Sequence, residues 1–303
     1  MNKHFADRLN QAIKTKKTPL IVGLDPRAER LPKGMLADSD REDLDECADA
    51  YVLFCKQIVD VVCDLVPAVK PQAAFFEQLG PAGSQALQTV SAYARSKDLL
   101  VIMDAKRGDI GSTAEAYAAA YLGEQSPWAS DALTVNPYLG DDSLTPFVDR
   151  ATEQGCGLFV LVKTSNPGGK MLQELKVNNT NVCSIVADHV EALSAANQAK
   201  NGYGNIGAVV GATHPDELVQ LRKQMQSTIF LVPGFGAQGG SAADVAGAFD
   251  ENGLGAVINS SRGIIFAYEK PEFEKLAWED AVEAATKKAI QQICDSTPAS
   301  ALS

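Results

Sequence analysis

The chain has 303 residues, of which 46% are hydrophobic and 21% charged, and its formal net charge at pH 7 is -11. This composition is that of an ordinary globular protein and excludes a disordered, collagen-like or coiled-coil chain. The excess of acidic side chains also argues against a nucleic-acid partner, because it repels a phosphate backbone at long range.

Short β-branched runs alternate with longer amphipathic stretches along the whole chain, which predicts alternating strands and helices. The predicted strands are Leu20–Leu24, Ala68–Lys70, Leu99–Met103, Ala132–Val135, Leu158–Val162, Ile206–Val210, Ile229–Val232 and Ala256–Asn259. The predicted helices are Asp45–Leu65, Gly83–Ser96, Thr113–Leu122, Leu144–Thr152, Val182–Asn201, Pro215–Gln224, Ala242–Asp250 and Glu272–Cys294. The strands are apolar almost throughout, which is typical of parallel sheets that are buried on both faces.

Eight strand–helix units in strict alternation favour a closed (β/α)8 TIM barrel over an open doubly wound sheet. No linker or shift in composition divides the chain, so we expect a single domain over residues 1–303. The segment at about residues 1–18 is predicted as a helix that covers the lower mouth of the barrel. Pro26–Asp40 is predicted as an inserted loop, and the small polar tail at about residues 296–303 is predicted to fray.

Several other classes of protein are not expected. The six cysteines form no C-x-x-C motif and the three histidines are widely separated, which argues against a disulfide framework and against a metal site. The charged N-terminus lacks the apolar centre of a signal peptide. The longest apolar run, Ala48–Val69, is interrupted by charges and cannot span a bilayer. We therefore expect a cytoplasmic protein with no membrane partner.

Polar and charged side chains recur where the predicted strands end, and the third strand carries the densest group. It continues as DAKRGD, and residues two apart on a strand share a face, so Asp104 and Lys106 are expected to point the same way. Asp109 follows in the loop, and Lys70 ends the neighbouring second strand. Because unpaired charge is expensive to bury, these four groups are expected to satisfy one another in one array. An arbitrary D-x-K-x-x-D is more often a solvated loop, whereas a buried array of this kind is suited to catalysis.

These residues carry a resemblance to a known family. The segment DAKRGDIGSTAEAYA, Asp104–Ala118, closely resembles the signature of orotidine 5'-phosphate decarboxylases, in particular their longer-chain bacterial branch (type 2). Further segments that resemble this branch, in order, are LDPR (Leu24–Arg27), KPQAAFFE (Lys70–Glu77), TVNPYLGDDSL (Thr134–Leu144), KTSNPG (Lys163–Gly168), PGFGAQGG (Pro233–Gly240) and NSSRGI (Asn259–Ile264). The resemblance touches strand ends from the first to the eighth and so covers most of the chain.

The resemblance implies a cofactor-free homodimer that decarboxylates orotidine 5'-monophosphate to UMP, the last step of de novo pyrimidine nucleotide synthesis. It implies that Lys106 protonates C6 of the pyrimidine and that Asp104 lies against the substrate carboxylate. The remaining roles that it implies are ribose binding by Lys70 and Asp25, recognition of the pyrimidine edge by Ser165, and contributions across the dimer interface by Asp109 and Thr113.

A glycine-rich segment after the seventh strand matches G-x-G-x-x-G but lacks the context of a dinucleotide site, which requires a first βαβ unit and a suitably spaced acidic residue. In a barrel, phosphate often binds after strands seven and eight, where glycines let backbone N–H groups approach an anion. The resemblance places Gln238, Arg262 and the Gly263 N–H on the 5'-phosphate of the substrate.

Two other functions stay open at this point. A metal-dependent sugar-phosphate decarboxylase or aldolase of the same barrel superfamily would hold Mg²⁺ with the first aspartate and a carboxylate that ends the second strand. Here that second position is Lys70, whose charge would repel the ion, and Glu77 lies farther along the loop. A non-catalytic nucleotide sensor is the other alternative, although all four members of the charged array are present.

Overall fold

A closed barrel of eight parallel strands forms the centre of the molecule. The computed structural model describes residues 4–211, 215–235 and 242–302. The strands are β1 (Leu20–Leu24), β2 (Ala68–Pro71), β3 (Leu100–Arg107), β4 (Ala132–Val135), β5 (Gly157–Lys163), β6 (Ile206–Val210), β7 (Phe230–Val232) and β8 (Ala256–Ser260). Each strand pairs with its neighbours in sequence, and β8 closes the ring by pairing with β1. The predicted (β/α)8 barrel is confirmed.

Helices connect the strands and cover the outside of the barrel. They are α1 (Phe5–Lys16), α2 (Leu44–Val62), α3 (Ala73–Glu77), α4 (Gly80–Ser96), α5 (Gly111–Tyr121), α6 (Asp141–Gln154), α7 (Lys170–Gln173), α8 (Val182–Ala196), α9 (Pro215–Gln224), α10 (Arg262–Ile265) and α11 (Trp278–Ser296). A short antiparallel hairpin, Lys176–Val177 with Thr180–Asn181, was not predicted from the sequence. Each helix in the described ranges is either too short or too polar to cross a bilayer.

The predicted helix Ala242–Asp250 is wrong in type, because the structure has a 3-10 helix at Ala243–Ala248. Gly247 lies in this segment against Val219 of α9, and a Cβ at position 247 would stand 2.4 Å from the Val219 side chain. Glycine in the middle of a helix also weakens it by about 1 kcal/mol relative to alanine. The close packing of Gly247 against α9 and the low helix propensity of glycine both disfavour a regular α-helix here.

The lower end of the barrel is closed by α1, which agrees with the predicted N-terminal helix. Its buried side chains Phe5, Leu9 and Ile13 pack against inward-facing strand residues such as Ile102 and Phe159. The rings of Phe5 and Phe159 meet edge to face with centroids 6.0 Å apart. Because α1 closes the lower end, the barrel is open at its upper end, where the C-terminal ends of the strands lie.

The described part of the C-terminal tail, up to residue 302, is folded against the barrel, which corrects the prediction of a frayed tail. Pro298–Leu302 forms a 3-10 helix, and Ala299 is fully buried. The Thr297 hydroxyl donates a hydrogen bond of 2.8 Å to the Ile293 carbonyl, so the chain continues directly from α11 onto the barrel. Small side chains allow this close packing, although their polarity suggested a solvated end.

The predicted loop Pro26–Asp40 contains 3-10 turns at Ala28–Arg30 and Asp38–Asp40. The Arg30 guanidinium lies 3.9 Å from the centre of the Phe266 ring and also pairs with Glu269. The segment is therefore attached to the region that follows β8.

Candidate active site

The upper end of β3 departs from the regular ladder where the charged residues occur. Ile102 and Met103 pair with Ala132 and Leu133, but the next paired residue of β3 is Arg107, opposite Val135. A step of four residues along β3 therefore matches a step of two along β4. A bulge of this kind redirects side chains and is common next to active sites. It contains Lys106, whose φ of 49° lies in the left-handed region that side chains rarely adopt.

Asp104 lies at the centre of the charged array. Its Oδ2 atom accepts hydrogen bonds from Lys70 Nζ at 2.6 Å and from Gln72 Nε2 at 3.0 Å. Its Oδ1 atom accepts from Lys106 Nζ at 2.5 Å and from the Thr134 hydroxyl at 3.1 Å. Four donors, two of them cationic, thus hold one buried carboxylate.

Burial and charge oppose each other in this array. Burial alone would raise the pKa of Asp104, but the ammonium groups of Lys70 and Lys106 outweigh it and hold that pKa below its usual range. Burial alone would lower the pKa of Lys70, but the charges of Asp104 and Asp25 outweigh it and hold that pKa above its usual value. Asp104 and Lys70 are therefore both charged at neutral pH. Lys106, whose side chain is 46% exposed, is the accessible end of the array.

A cavity of about 310 Å³ opens above the array at the upper end of the barrel. Polar side chains from β2, β3 and β4 and from the segment directly after β5 line it, and apolar side chains of β5, β6 and β7 complete its wall. Its lining residues include Lys70, Asp104, Lys106, Thr134, Ser165 and Leu231. A concave site with a few converging polar groups and an apolar wall is the usual form of a small-molecule site.

Two of the predicted substrate-binding residues lie close to this array or line its cavity. Ser165 lines the cavity directly. Asp25, at the end of β1, is near enough to Lys70 to raise the pKa of that lysine, and its Oδ1 atom is buried with no hydrogen-bond partner among the described residues. An unpartnered buried carboxylate oxygen is costly, so this atom is suited to accept a hydrogen bond from a ligand.

The segment that carries Ser165 is held in place by its neighbours. The Gln173 side chain accepts a hydrogen bond from the Thr164 N–H at 3.0 Å and donates one to the Thr164 hydroxyl at 2.8 Å. Lys163, buried at the end of β5, lies 2.9 Å from Glu174 and 3.1 Å from Glu217. Burial alone would lower the pKa of Lys163, but these two carboxylates keep it above its usual value.

Asp109 and Thr113 do not join the array within one chain. Asp109 accepts a hydrogen bond of 2.9 Å from the Ile110 N–H and pairs with no cation in the part of the chain that the structure describes. Thr113, in the first turn of α5, is exposed and lines a separate cavity between α4 and α5. The expectation of one four-membered array is therefore met by three members, Lys70, Asp104 and Lys106.

Two of the three predicted phosphate residues, Arg262 and Gly263, follow β8 at the other side of the barrel mouth. Arg262 begins α10 directly after β8, and its side chain is exposed. Gly263 follows it, and the Gly263 carbonyl accepts a hydrogen bond of 2.8 Å from Lys270 Nζ. Gln238 lies outside the described residues.

Gln72 and Thr134 are the polar contacts of Asp104 to which sequence reasoning gave no role. Gln72 stands two residues after Lys70, so the period-two rule for strands could have placed it beside the array. Thr134 could not be found in this way, because its contact with Asp104 depends on the bulge in β3.

Taken together, a (β/α)8 barrel whose upper cavity holds two lysines on one buried aspartate defines an enzyme of the TIM-barrel class. The profile of the orotidine 5'-phosphate decarboxylase / HUMPS family matches residues 18–275. The chain belongs to this family.

Proteins similar to this chain over nearly their full length carry the same family name. The orotidine 5'-phosphate decarboxylase of Rhodopirellula baltica is 54% identical over 297 residues, which are 95% of this chain and 98% of the relative. That of Haloarcula marismortui is 45% identical over 88% of each chain. Among solved structures, a putative orotidine 5'-phosphate decarboxylase from Streptomyces avermitilis superposes with a TM-score of 0.81 at 37% identity, covering 97% of this chain and 96% of that one.

Proposed function

We propose that this protein is a cofactor-free carboxy-lyase that converts orotidine 5'-monophosphate to UMP and CO2, the last step of de novo pyrimidine nucleotide synthesis. The observation that carries the proposal is the Lys70–Asp104–Lys106 array, built on a buried Asp104, beneath a cavity of about 310 Å³. Membership of the family, and full-length relatives that are named for this activity, support it.

Lys106 is the proposed proton donor. When the bond between C6 and the carboxylate breaks, the electron pair stays on C6, a carbon with no good electron sink. An ammonium group held at that carbon stabilises the developing charge and then transfers a proton to form the C6–H bond. The neutral amine is reprotonated from water. The 2.5 Å contact with Asp104 fixes where the Lys106 ammonium lies before substrate binds.

Asp104 has a second proposed effect, on the substrate itself. Two like charges ~4 Å apart repel by about 4 kcal/mol at an effective dielectric of ~20, so departure of CO2 would relieve repulsion between Asp104 and the substrate carboxylate. Because two ammonium groups already offset the charge of Asp104, we assign the larger share of catalysis to Lys106.

The remaining residues are proposed to bind the parts of the substrate that do not react. Ser165 would read the pyrimidine edge, and Asp25 with Lys70 would bind the ribose hydroxyls. Gln238, Arg262 and the Gly263 N–H would bind the 5'-phosphate. Binding energy gained at the phosphate can stabilise the transition state at C6 when it is used to close loops over the substrate.

We also propose a homodimer in which Asp109 and Thr113 complete the site of the partner subunit. Asp109 finds no cation within its own chain as described, and exposed apolar side chains stand next to it in sequence and in the loop after β4. Ile110 is 57% exposed, and Tyr138 and Leu139, which follow β4, are 72% and 50% exposed. Exposed apolar side chains at the same end of the barrel as an unpaired carboxylate are suited to an interface. The expected cytoplasmic location stays a prediction.

The geometry favours neither alternative. The position at which the metal-dependent enzymes need a carboxylate holds Lys70, whose ammonium group occupies Asp104 Oδ2. Glu77 instead pairs with Arg107 and lines the separate cavity between α4 and α5. A sensor would not need two lysines held on one buried carboxylate.

Ultraviolet absorbance of orotidine 5'-monophosphate incubated with the purified protein in excess EDTA tests the proposal. We expect a steady spectral change to that of UMP. Turnover only after Mg²⁺ is added would favour the metal-dependent alternative. Binding of the nucleotide without turnover in either condition would favour the sensor.

A further inference from the structure

Thr134 on β4 is a buried polar residue of the site to which the proposed mechanism gives no role. It is 1% exposed, yet its side chain forms part of the wall of the active-site cavity. Its neighbours on β4 are apolar, so the hydroxyl is the polar group that this strand presents to the bulge of β3.

The hydrogen-bonding capacity of this hydroxyl is used completely. It donates to Asp104 Oδ1 at 3.1 Å. It accepts from the backbone N–H of Ala105 at 3.1 Å and from that of Lys106 at 2.9 Å. A hydroxyl has one hydrogen and two lone pairs, so all three are engaged with the Asp104–Lys106 segment.

The contacts of Thr134 replace backbone hydrogen bonds of the β3–β4 ladder that the bulge interrupts. Within the bulge the β3–β4 ladder is interrupted, so the N–H groups of Ala105 and Lys106 need another acceptor. The Thr134 oxygen supplies it and, at the same time, holds the carboxylate that pairs with the Lys106 ammonium. The left-handed backbone at Lys106 is unfavourable in itself and persists only where its surroundings hold it.

We propose that Thr134 is a positioning residue for the decarboxylation: its hydroxyl holds the β3 bulge in the conformation that presents the Lys106 ammonium to the substrate carbon. The proposal rests on the proposed function. It assigns Thr134 no contact with the reacting atoms and predicts that the hydroxyl, rather than the volume of the side chain, is what matters.

Two substitutions separate hydroxyl from volume. Thr134→Val keeps the shape and removes the hydroxyl, whereas Thr134→Ser keeps the hydroxyl and removes a methyl group. We expect kcat to fall by about tenfold or more in the valine variant, because two N–H groups lose their acceptor and Asp104 loses a donor. We expect the serine variant to keep kcat within about threefold even if its Tm falls, since a lost buried methyl affects packing and not the hydrogen bonds.

Two readouts distinguish positioning from a general structural role. The affinity for UMP should change little in Thr134→Val, because Thr134 contacts none of the groups proposed to bind the phosphate, ribose or pyrimidine edge. The KM for orotidine 5'-monophosphate should likewise stay within about threefold while kcat falls, because binding of the ground state uses groups other than Thr134. Thr286→Val is the matched control: Thr286 is fully buried in α11, and its hydroxyl bonds to the Val282 carbonyl at 2.7 Å. This control should leave kcat unchanged.

The outcomes are distinct. A valine variant with the kcat of the unmodified protein, or a serine variant as impaired as the valine variant, would overturn the role of Thr134 while leaving the proposed function intact. Failure of the unmodified protein to turn over orotidine 5'-monophosphate would overturn both. Should valine prevent folding, Thr134→Ala against Thr134→Ser provides the same comparison, with the same expected order. A crystal structure of the valine or alanine variant should show Lys106 leaving the left-handed region, and an unchanged bulge would contradict the inference.

Discussion

The two sides of the barrel mouth differ in how completely the chain itself satisfies their charges. On the side of β2, β3 and β4, Asp104 is buried and receives four hydrogen-bond donors before any ligand binds. On the side of β8, Arg262 is exposed at the start of α10 and makes no hydrogen bond or ion pair with the described residues. The side of β2, β3 and β4 is therefore organised before a ligand binds. On the side of β8, Arg262 stays available to a ligand.

This difference matches the chemistry proposed for each side. A group that must stabilise charge on a carbon works best when it is already fixed, because no reorganisation is then needed during the reaction. A group that binds a dianionic phosphate gains by meeting its partner only when the ligand arrives. If the two sides are separable in this way, substitutions on each should have different effects.

The largest combined effect is expected when the charge at the centre of the organised side is removed. In Asp104→Asn, two ammonium groups lose their common counter-charge, and we expect turnover to fall about 10³-fold and stability by about 3 kcal/mol. Asp60→Asn is the matched control, because Asp60 also lies 2.6 Å from a lysine, Lys97, but its side chain is 46% exposed. Urea unfolding of the control should change by less than about 1 kcal/mol. Equal losses of stability in Asp104→Asn and Asp60→Asn would show that the buried ion pairs of Asp104 contribute no more than the exposed pair of Asp60 and Lys97.

Removing the exposed cation Arg262 should lower kcat/KM only for substrates that carry a phosphate. We expect Arg262→Ala to lower kcat/KM for orotidine 5'-monophosphate by about 10²-fold, because binding energy at the phosphate is lost. Reaction of phosphate-free orotidine should be unchanged. Arg41→Ala, which removes an exposed arginine paired with Asp38, should affect neither substrate. A comparable loss with both substrates would show that the two sides are not separable.

The pH dependence of stability should identify the organised side. The pKa of Asp104 is lower in the folded protein than in the unfolded chain, so its contribution is present above about pH 4 and is lost as pH falls through the folded value. The pKa of Lys70 is raised, so its contribution is present below about pH 10 and is lost as pH rises through the folded value. The stability difference between the unmodified protein and Asp104→Asn should therefore narrow below pH 4, by on the order of 2 kcal/mol. A difference independent of pH would contradict these assignments.

The smallest effect on stability and turnover is expected from a change far from both sides of the barrel mouth. Removal of residues 298–302 deletes the buried Ala299, and we expect a loss of about 1 kcal/mol in stability with no change in kcat or in either substrate's KM. Differential scanning calorimetry and the absorbance assay measure the two quantities. A fall in kcat would mean that the tail influences the mouth, and the two sides would then not be independent of the rest of the barrel.

The barrel could be predicted from the sequence because its signal is local. Eight apolar strands such as Ile206–Val210, in strict alternation with amphipathic helices, favour a closed barrel over an open sheet. The 3-10 helix at Ala243–Ala248 could not be predicted, because a close approach to α9 decides it. The packed tail has the same origin, since burial of Ala299 depends on what lies beside it in space.

The charges of the site could be predicted from the sequence, but its hydrogen bonds only in part. Lys70, Asp104 and Lys106 had to be near one another because each is costly to bury alone. The strand period was nevertheless too simple for β3, where a bulge and a left-handed Lys106 bring the ammonium onto the carboxylate. Thr134 contacts that bulge from β4, so no pattern in the sequence could assign it a role in the site. Asp109 is predicted to act in the partner's site, which a single chain does not contain.

The role of Lys106 is best tested by single-turnover decarboxylation in Lys106→Ala, measured together with the affinity of this variant for UMP. We expect turnover to fall by about 10³-fold or more while UMP still binds, because the proton donor is lost and the other contacts are kept. Lys287→Ala, which removes an exposed lysine paired with Glu283 on α11, should be indistinguishable from the unmodified protein. A Lys106→Ala protein that retained a tenth or more of the activity would contradict the assignment of Lys106 as the proton donor.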